Sequence, residues 1–231
     1  MAEATPLRKA GDDPGADDES LRAADGRVPG RRGRATRQRL LECTGEMLTT
    51  TSYRDVKVID IAREAGTSPA TFYQYFADVE GAILVLAEEM AQQGAHLTAI
   101  ITDGSWSGPA AADTALQLVD AFLSFWDDNR AVLRVMDLAT DEGDGRFQKI
   151  RVGLLNDITK SLADVTRASI VARQLPKGID PMATAGILVS MLAHVAAHQY
   201  GFEFWGIRTK DLRTSMARQV SWGVSGIVPP D

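Results

Sequence analysis

The stretch Ala65-Gly66-Thr67-Ser68-Pro69-Ala70-Thr71-Phe72-Tyr73-Gln74-Tyr75-Phe76 gathers groups suited to holding a polyanion. Thr67, Ser68 and Thr71 place short hydroxyls near a helix start, where an anion is favoured. Tyr73 and Tyr75 add phenols whose rings can stay partly packed while their hydroxyls reach phosphate. Gln74 can bond a base edge or a phosphate. Phe72 and Phe76, four residues apart, lie on one face and can anchor that helix to its neighbours. The plain alternative is that these rings are only core.

Groups like these need rigid elements. Leu40, Leu41, Thr44, Met47 and Leu48 stripe a first helix from Ala35. A turn is expected over 49–55. Val58, Ile61, Ala62 and Ala65 stripe a short second helix that stops at Gly66. Ser68 is a suitable N-cap and Pro69 a suitable first residue for a third helix reaching Tyr75. Asp78 can cap a fourth. Two short helices joined at Gly66-Thr67 form the helix-turn-helix pattern, whose second helix enters the DNA major groove. Many proteins with that geometry never touch DNA.

Charge adds to the case. The net charge of −6 argues against indiscriminate coating of nucleic acid. Yet after the acidic Asp12, Asp13, Asp17, Asp18, Glu19 and Asp25, the charged residues from Arg27 to Arg39 are all arginine. Residues 1–34 read as disordered, first acidic and then an arginine-rich arm, followed by a DNA-binding unit over 35–80 and a larger unit over 81–231. Arg31, Arg32 and Arg34 of the arm, with Thr36 just after it, join the candidate DNA contacts. A solvated charge run is the competing reading of the arm.

The rest of the chain is helical throughout in its periodicity, so the fold class is all-α, a three-helix head before a larger bundle. Phe122, Phe125, Trp126, Met136, Phe147, Asn156, Met191 and His194 are the candidate lining of a pocket. Its ligand would be apolar, aromatic or steroid-like, with one or two polar handles; core packing is the alternative for each ring. Leu212, Met216, Val220 and Val224 ridge the last helix and, with His198, are the candidate dimer interface. The same ridge could instead finish one chain's own core. His194 and His198 are four residues apart, but HVAAH lacks the glutamate of the zinc-protease motif, and no metal is expected. No cofactor is expected beyond a small-molecule effector.

Several classes recede. The single cysteine, Cys43, forbids an intramolecular disulfide and suits a reducing cytoplasm. No uninterrupted apolar run reaches the roughly 18 residues of a membrane span, and the N-terminus is no signal peptide. Neither a phosphate-binding glycine loop nor a GxSxG elbow is present, so an enzyme is not expected. The alternative to a DNA-binding regulator is a helical ligand- or partner-binding module that does not bind DNA.

Residues 36–84, TRQRLLECTGEMLTTTSYRDVKVIDIAREAGTSPATFYQYFADVEGAIL, resemble the DNA-binding domain of the tetracycline-repressor (TetR) family. The segments TRQRLLECTGEML, IDIAREAGTS and TFYQYF stand in that family's order and spacing. The resemblance implies an all-helical homodimer, usually a repressor, whose C-terminal ligand moves the two reading heads and releases an operator. It implies DNA contacts from Thr67, Ser68, Pro69, Ala70, Thr71, Tyr73, Gln74 and Tyr75, and from Lys57 near the start of the second helix. One departure is plain: where the family usually has a phosphate-gripping lysine at the start of the fourth helix, this chain has Val79.

Overall fold

The structure is a computed structural model, and it describes residues 30–227. Every regular element among the described residues is helical. The chain divides into two compact units, Met1–Val85 and Leu86–Asp231. The division falls inside one helix.

The first unit holds α1 (Arg31–Thr50), a 3-10 turn at Tyr53–Asp55, α2 (Val58–Glu64), α3 (Pro69–Tyr75) and the opening of α4 (Val79–Gln93). Leu40 and Leu41 of α1, Ile61 of α2, Phe72 of α3 and Ile83 of α4 are fully buried. The Phe72 ring lies 5.4 Å from Phe76 between centroids, so the i, i+4 pair packs as its spacing predicts. The Arg37 guanidinium stands 5.3 Å from the Phe76 ring centroid on its own unit's core. Gly66 has φ +67°, which a side chain resists, and this permits the tight turn between α2 and α3. Ser68 caps α3 by accepting the Thr71 N–H at 3.2 Å. Asp78 does the same for the Gly81 N–H at 2.7 Å at the head of α4.

The helical reading of the head holds, with one correction. Arg31, Arg32 and Arg34 do not lie on a flexible arm: they form the first turns of α1, and the Arg34 N–H donates to the Gly30 carbonyl at 2.9 Å. Arginine is a good helix former, so the basic composition taken as an arm is compatible with continuing the helix backwards. The remainder of the expected arm, 1–29, lies outside the described residues.

The second unit comprises the rest of α4, α5 (Ala95–Asp103), α6 (Ala110–Asp128), α7 (Arg130–Asp141), α8 (Gly145–Val171), α9 (Pro181–His198), a 3-10 segment Gln199–Trp205, and α10 (Thr209–Ser225). Helix α5 buries Leu97 and Ile101 after a break at Gly94. Helix α10 packs along α6, and α9 packs along α8. Phe122, Phe147, Leu118, Leu162, Leu192, Val220 and Val224 are the fully or almost fully buried centre. Gly223 lets α10 close on α9: a Cβ there would stand 3.0 Å from the Leu188 side chain. Asp144 caps α8, and its hydrogen bonds with Arg146 hold its carboxyl down to about 2.

By length and composition Pro181–Trp205 is apolar enough to cross a membrane, with a mean hydropathy of 1.3. Counting only uninterrupted apolar runs missed it, because His and Ser break the run. In the fold this stretch is α9 and the 3-10 segment, packed against α8 and α6.

Candidate nucleic-acid interface

Helix α3 turns its sequence pattern into two faces. Phe72 is buried, while Tyr73 is 54% exposed, and Pro69, Ala70 and Gln74 are exposed beside it. Tyr75 and Thr71 are half-buried. The Phe72 and Tyr73 rings meet edge to face at 5.8 Å, so the tyrosine is braced at its base and free at its tip. Lys57 is exposed at the N-cap of α2. Arg31, Arg32 and Arg34 are exposed on α1, and Thr36 is half-buried with its hydroxyl donating to the Arg32 carbonyl. The structure therefore gathers the expected α3 residues on one short rod, with cations on the two helices of the same head.

The hydroxyls are less free than their types suggest. Ser68 Oγ and Thr71 Oγ1 are 3.0 Å apart and bond each other, and Ser68 Oγ also accepts the cap bond. Thr67 Oγ1 donates back to the Ala62 carbonyl at 3.4 Å. The exposed reach of the rod is thus carried chiefly by the Tyr73 phenol, the Gln74 amide and the apolar Pro69 and Ala70. Val79 is only 8% exposed, so the position where the resemblance implies a lysine is spent on packing.

A family model described as bacterial regulatory proteins of the tetR family matches residues 40–81. A second, described as the tetracyclin repressor-like C-terminal domain, matches residues 97–231, more than half of the chain. The chain belongs to the TetR family. TetR-family proteins are DNA-binding, ligand-binding transcriptional regulators rather than enzymes, and this chain is one of them. It is 22% identical over 203 residues to the uncharacterized HTH-type transcriptional regulator YdgC of Bacillus subtilis (strain 168), covering 86% of this chain and 95% of YdgC. Its fold is similar to the fatty acid degradation regulator FadR of Bacillus halodurans, with a TM-score of 0.60 at 15% identity over 87% of this chain and 98% of that one. FadR of Bacillus subtilis, solved with stearoyl-CoA, gives 0.60 at 17% identity over 82% and 98% of the two chains. The MbdR regulator of Azoarcus sp. CIB gives 0.60 at 15% identity over 84% and 99%.

Within the TetR C-terminal unit the expected pocket residues separate. Phe122, Phe125, Trp126, Met136 and Phe147 are buried, and the Phe122 and Trp126 rings stack at 4.8 Å. Met191 and Asn156 are half-buried, and the Asn156 amide donates to Asp157. His194 is a correction: it is exposed on α9, its ring stacked on His198, because α9 turns this face away from the core. Trp126 carries an informative polar atom. Its Nε1–H is buried and has no hydrogen-bond partner among the described residues. A cavity of about 240 Å³ is lined by Gln93, His96, Ala121, Ser124, Phe125, Asp128 and Asn129. Of these only Phe125 was expected; the others are Ala121 and five polar residues whose types carry no sequence signal.

The expected interface ridge is a second correction. Met216, Val220 and Val224 are 3%, 0% and 0% exposed in the single chain, and Leu212 is half-buried. Met216, Val220 and Val224 face into the chain's own core, where α10 packs on α6, and leave no surface for another copy. The exposed apolar side chains lie elsewhere: Ile187 on α9, Trp222 on α10, and Phe204 and Trp205 in the 3-10 segment. That segment is tied to α6 by Asp127, which accepts from Gln199 Nε2 at 3.0 Å and from the Tyr200 hydroxyl at 3.1 Å. The same carboxylate pushes the Tyr200 phenol upward in pKa.

Proposed function

We propose that the chain is a homodimeric repressor that leaves a pseudo-palindromic operator when a small apolar ligand occupies its C-terminal unit. The observation that carries the DNA half is α3: one face is fully buried through Phe72, and the other offers Tyr73, Gln74, Ala70 and Pro69 to a groove. In a two-fold dimer the two heads read half-sites about 34–36 Å apart, or a multiple of that. Tyr73→Phe removes only a hydroxyl. It is expected to cost about 1 kcal/mol per head, with unchanged thermal stability. Fluorescence anisotropy on an operator selected from random DNA measures it, and equal affinity for both proteins removes Tyr73 from the contacts.

The dimer reading is supported by the outward faces of α9 and α10. Ile187 and Trp222 are 70% and 57% exposed, more apolar surface than a helical unit gains by showing water. A second copy of the same face covers it.

The ligand reading rests on Trp126. A buried N–H without a partner is a cost that a ligand's acceptor atom would relieve. FadR of Bacillus subtilis was solved with stearoyl-CoA, and an acyl thioester joins an apolar chain to a carbonyl acceptor, so stearoyl-CoA is the first ligand to test. Trp126→Phe keeps a ring and deletes the donor. The ligand concentration needed to release DNA is expected to rise roughly fivefold, for about 1 kcal/mol lost. DNA affinity without ligand stays the same; an unshifted release curve removes Trp126 as the handle. Release itself needs only that the ligand bind the DNA-free state better than the DNA-bound one. The protein then acts in the cytoplasm, where its operator is.

A further inference from the structure

Helix α4 gives way to α5 at Gly94, and α5 packs on α6. A Cβ at Gly94 would overlap the Leu154 side chain and stand 3.6 Å from Phe125 Cζ, so glycine lets the bend sit this close. Gln93 and His96, on either side of the bend, thereby join Ser124, Phe125, Asp128 and Asn129 around the cavity of about 240 Å³. The His96 and Phe125 rings are 6.1 Å apart between centroids.

The hydrogen bonds already made there leave a lopsided set of groups. His96 Nδ1 lies 2.6 Å from the Gln93 carbonyl. A carbonyl only accepts, so Nδ1 carries the proton and Nε2 of the neutral ring is left as an acceptor. Asn129 Nδ2 donates to the Phe125 carbonyl at 2.9 Å, which leaves Oδ1 unused. Ser124 Oγ donates to Asp128 Oδ2 at 3.4 Å, which spends the hydroxyl proton and leaves Asp128 Oδ1. Spare acceptors thus outnumber spare donors, and they include a carboxylate. No Lys or Arg lines the cavity. Arg130, two residues beyond Asp128, stands instead over the Tyr200 ring, 4.8 Å from its centroid.

We infer that this cavity binds a small organic cation, whose N–H groups meet Asp128 and Asn129 and whose apolar part lies on Phe125. An exposed ion pair by itself contributes little, so the ring and the added acceptors supply the rest. The volume is below the roughly 300–1,000 Å³ of a drug-sized pocket, which excludes stearoyl-CoA as its occupant. None of the lining residues lies on α9 or α10, whose outward faces the proposed dimer uses. The inference therefore goes beyond the Trp126 ligand and stands or falls apart from it and from the dimer.

The test titrates the full chain with benzamidine, benzamide and benzoate, which share a ring and carry positive, no and negative charge. Ligand-observed NMR reads the affinities. Wild type binds benzamidine at millimolar concentration, benzamide about tenfold more weakly, and benzoate not at all. Asp128→Asn keeps the shape and removes the charge, so benzamidine affinity falls about tenfold while that for benzamide holds. Ala121→Leu fills the cavity and removes benzamidine binding. Asp128 is exposed, so the fold is expected to tolerate its exchange. Should either variant unfold, the imidazole resonances of wild-type His96 decide, because they shift under benzamidine and not under benzoate. Equal binding of the three probes, no binding of benzamidine, full affinity in Asp128→Asn, or an unmoved His96 overturns the site.

Discussion

On the proposed dimer reading, Ile187→Asp is expected to yield a monomer that no longer holds its operator. Ile187 is 70% exposed in the single chain, so the exchange leaves that chain's own stability within about 0.5 kcal/mol. In a two-fold interface the same exchange is made twice, because each residue of the patch occurs in both copies. Each buried carboxylate without a partner costs several kcal/mol. The operator then sees single heads, and the gain from binding two linked modules, roughly 10²–10⁴-fold, disappears. Analytical ultracentrifugation and anisotropy on one preparation read both effects. A variant that sediments as a dimer moves the interface off this face of α9. A monomer that binds with full affinity dismisses the paired reading of DNA.

Phe72→Ala is the second large effect. Phe72 is fully buried between Phe76 and the helices α1 and α2. Deleting a buried ring costs about 3–5 kcal/mol, from lost burial and from the cavity left behind. A small head has little more than that to lose. The head is expected to melt near ambient temperature and DNA binding to vanish, while the unit Leu86–Asp231 keeps its own transition. Scanning calorimetry with circular dichroism separates the two. Tyr73→Ala, one residue along and 54% exposed, leaves the melting of the head in place. A head that melts normally without the Phe72 ring would mean α3 is held by something other than its buried face.

These two residues also mark what periodicity can and cannot reveal. The bounds of α3 were legible because three local signals agree there: the Gly66 turn, the Ser68 cap with Pro69 behind it, and the Phe72–Phe76 pair. The Asp78 cap of α4 was legible for the same reason. Arg31–Arg34 misled because composition rich in Arg and Gly reads as a loop, while the helix starts directly after Gly30, whose carbonyl accepts the Arg34 N–H, with no side-chain cap. The ridge Met216–Val220–Val224 misled for another reason. An apolar stripe says that something covers it, and α6 of the same chain satisfies that as well as a second copy does. On α9 the apolar residues run nearly all round, so no contrast told that His194 faces outward and Leu192 inward. The cavity beside Phe125 is made by residues from α4, α5 and α6 that only tertiary packing brings together.

Val79 has a consequence for how such a regulator searches a genome. Its side chain is folded inward, so each head forgoes one cationic grip on the sugar-phosphate rail. In the proposed dimer two heads forgo two, which is expected to flatten the dependence of log affinity on log salt by about 1.8. Non-cognate duplex is held by that electrostatic grip almost alone, whereas a matched site adds groove contacts. On the proposed reading, dwell on irrelevant sequence is then expected to shorten more, in proportion, than dwell on the target, which favours hopping over sliding.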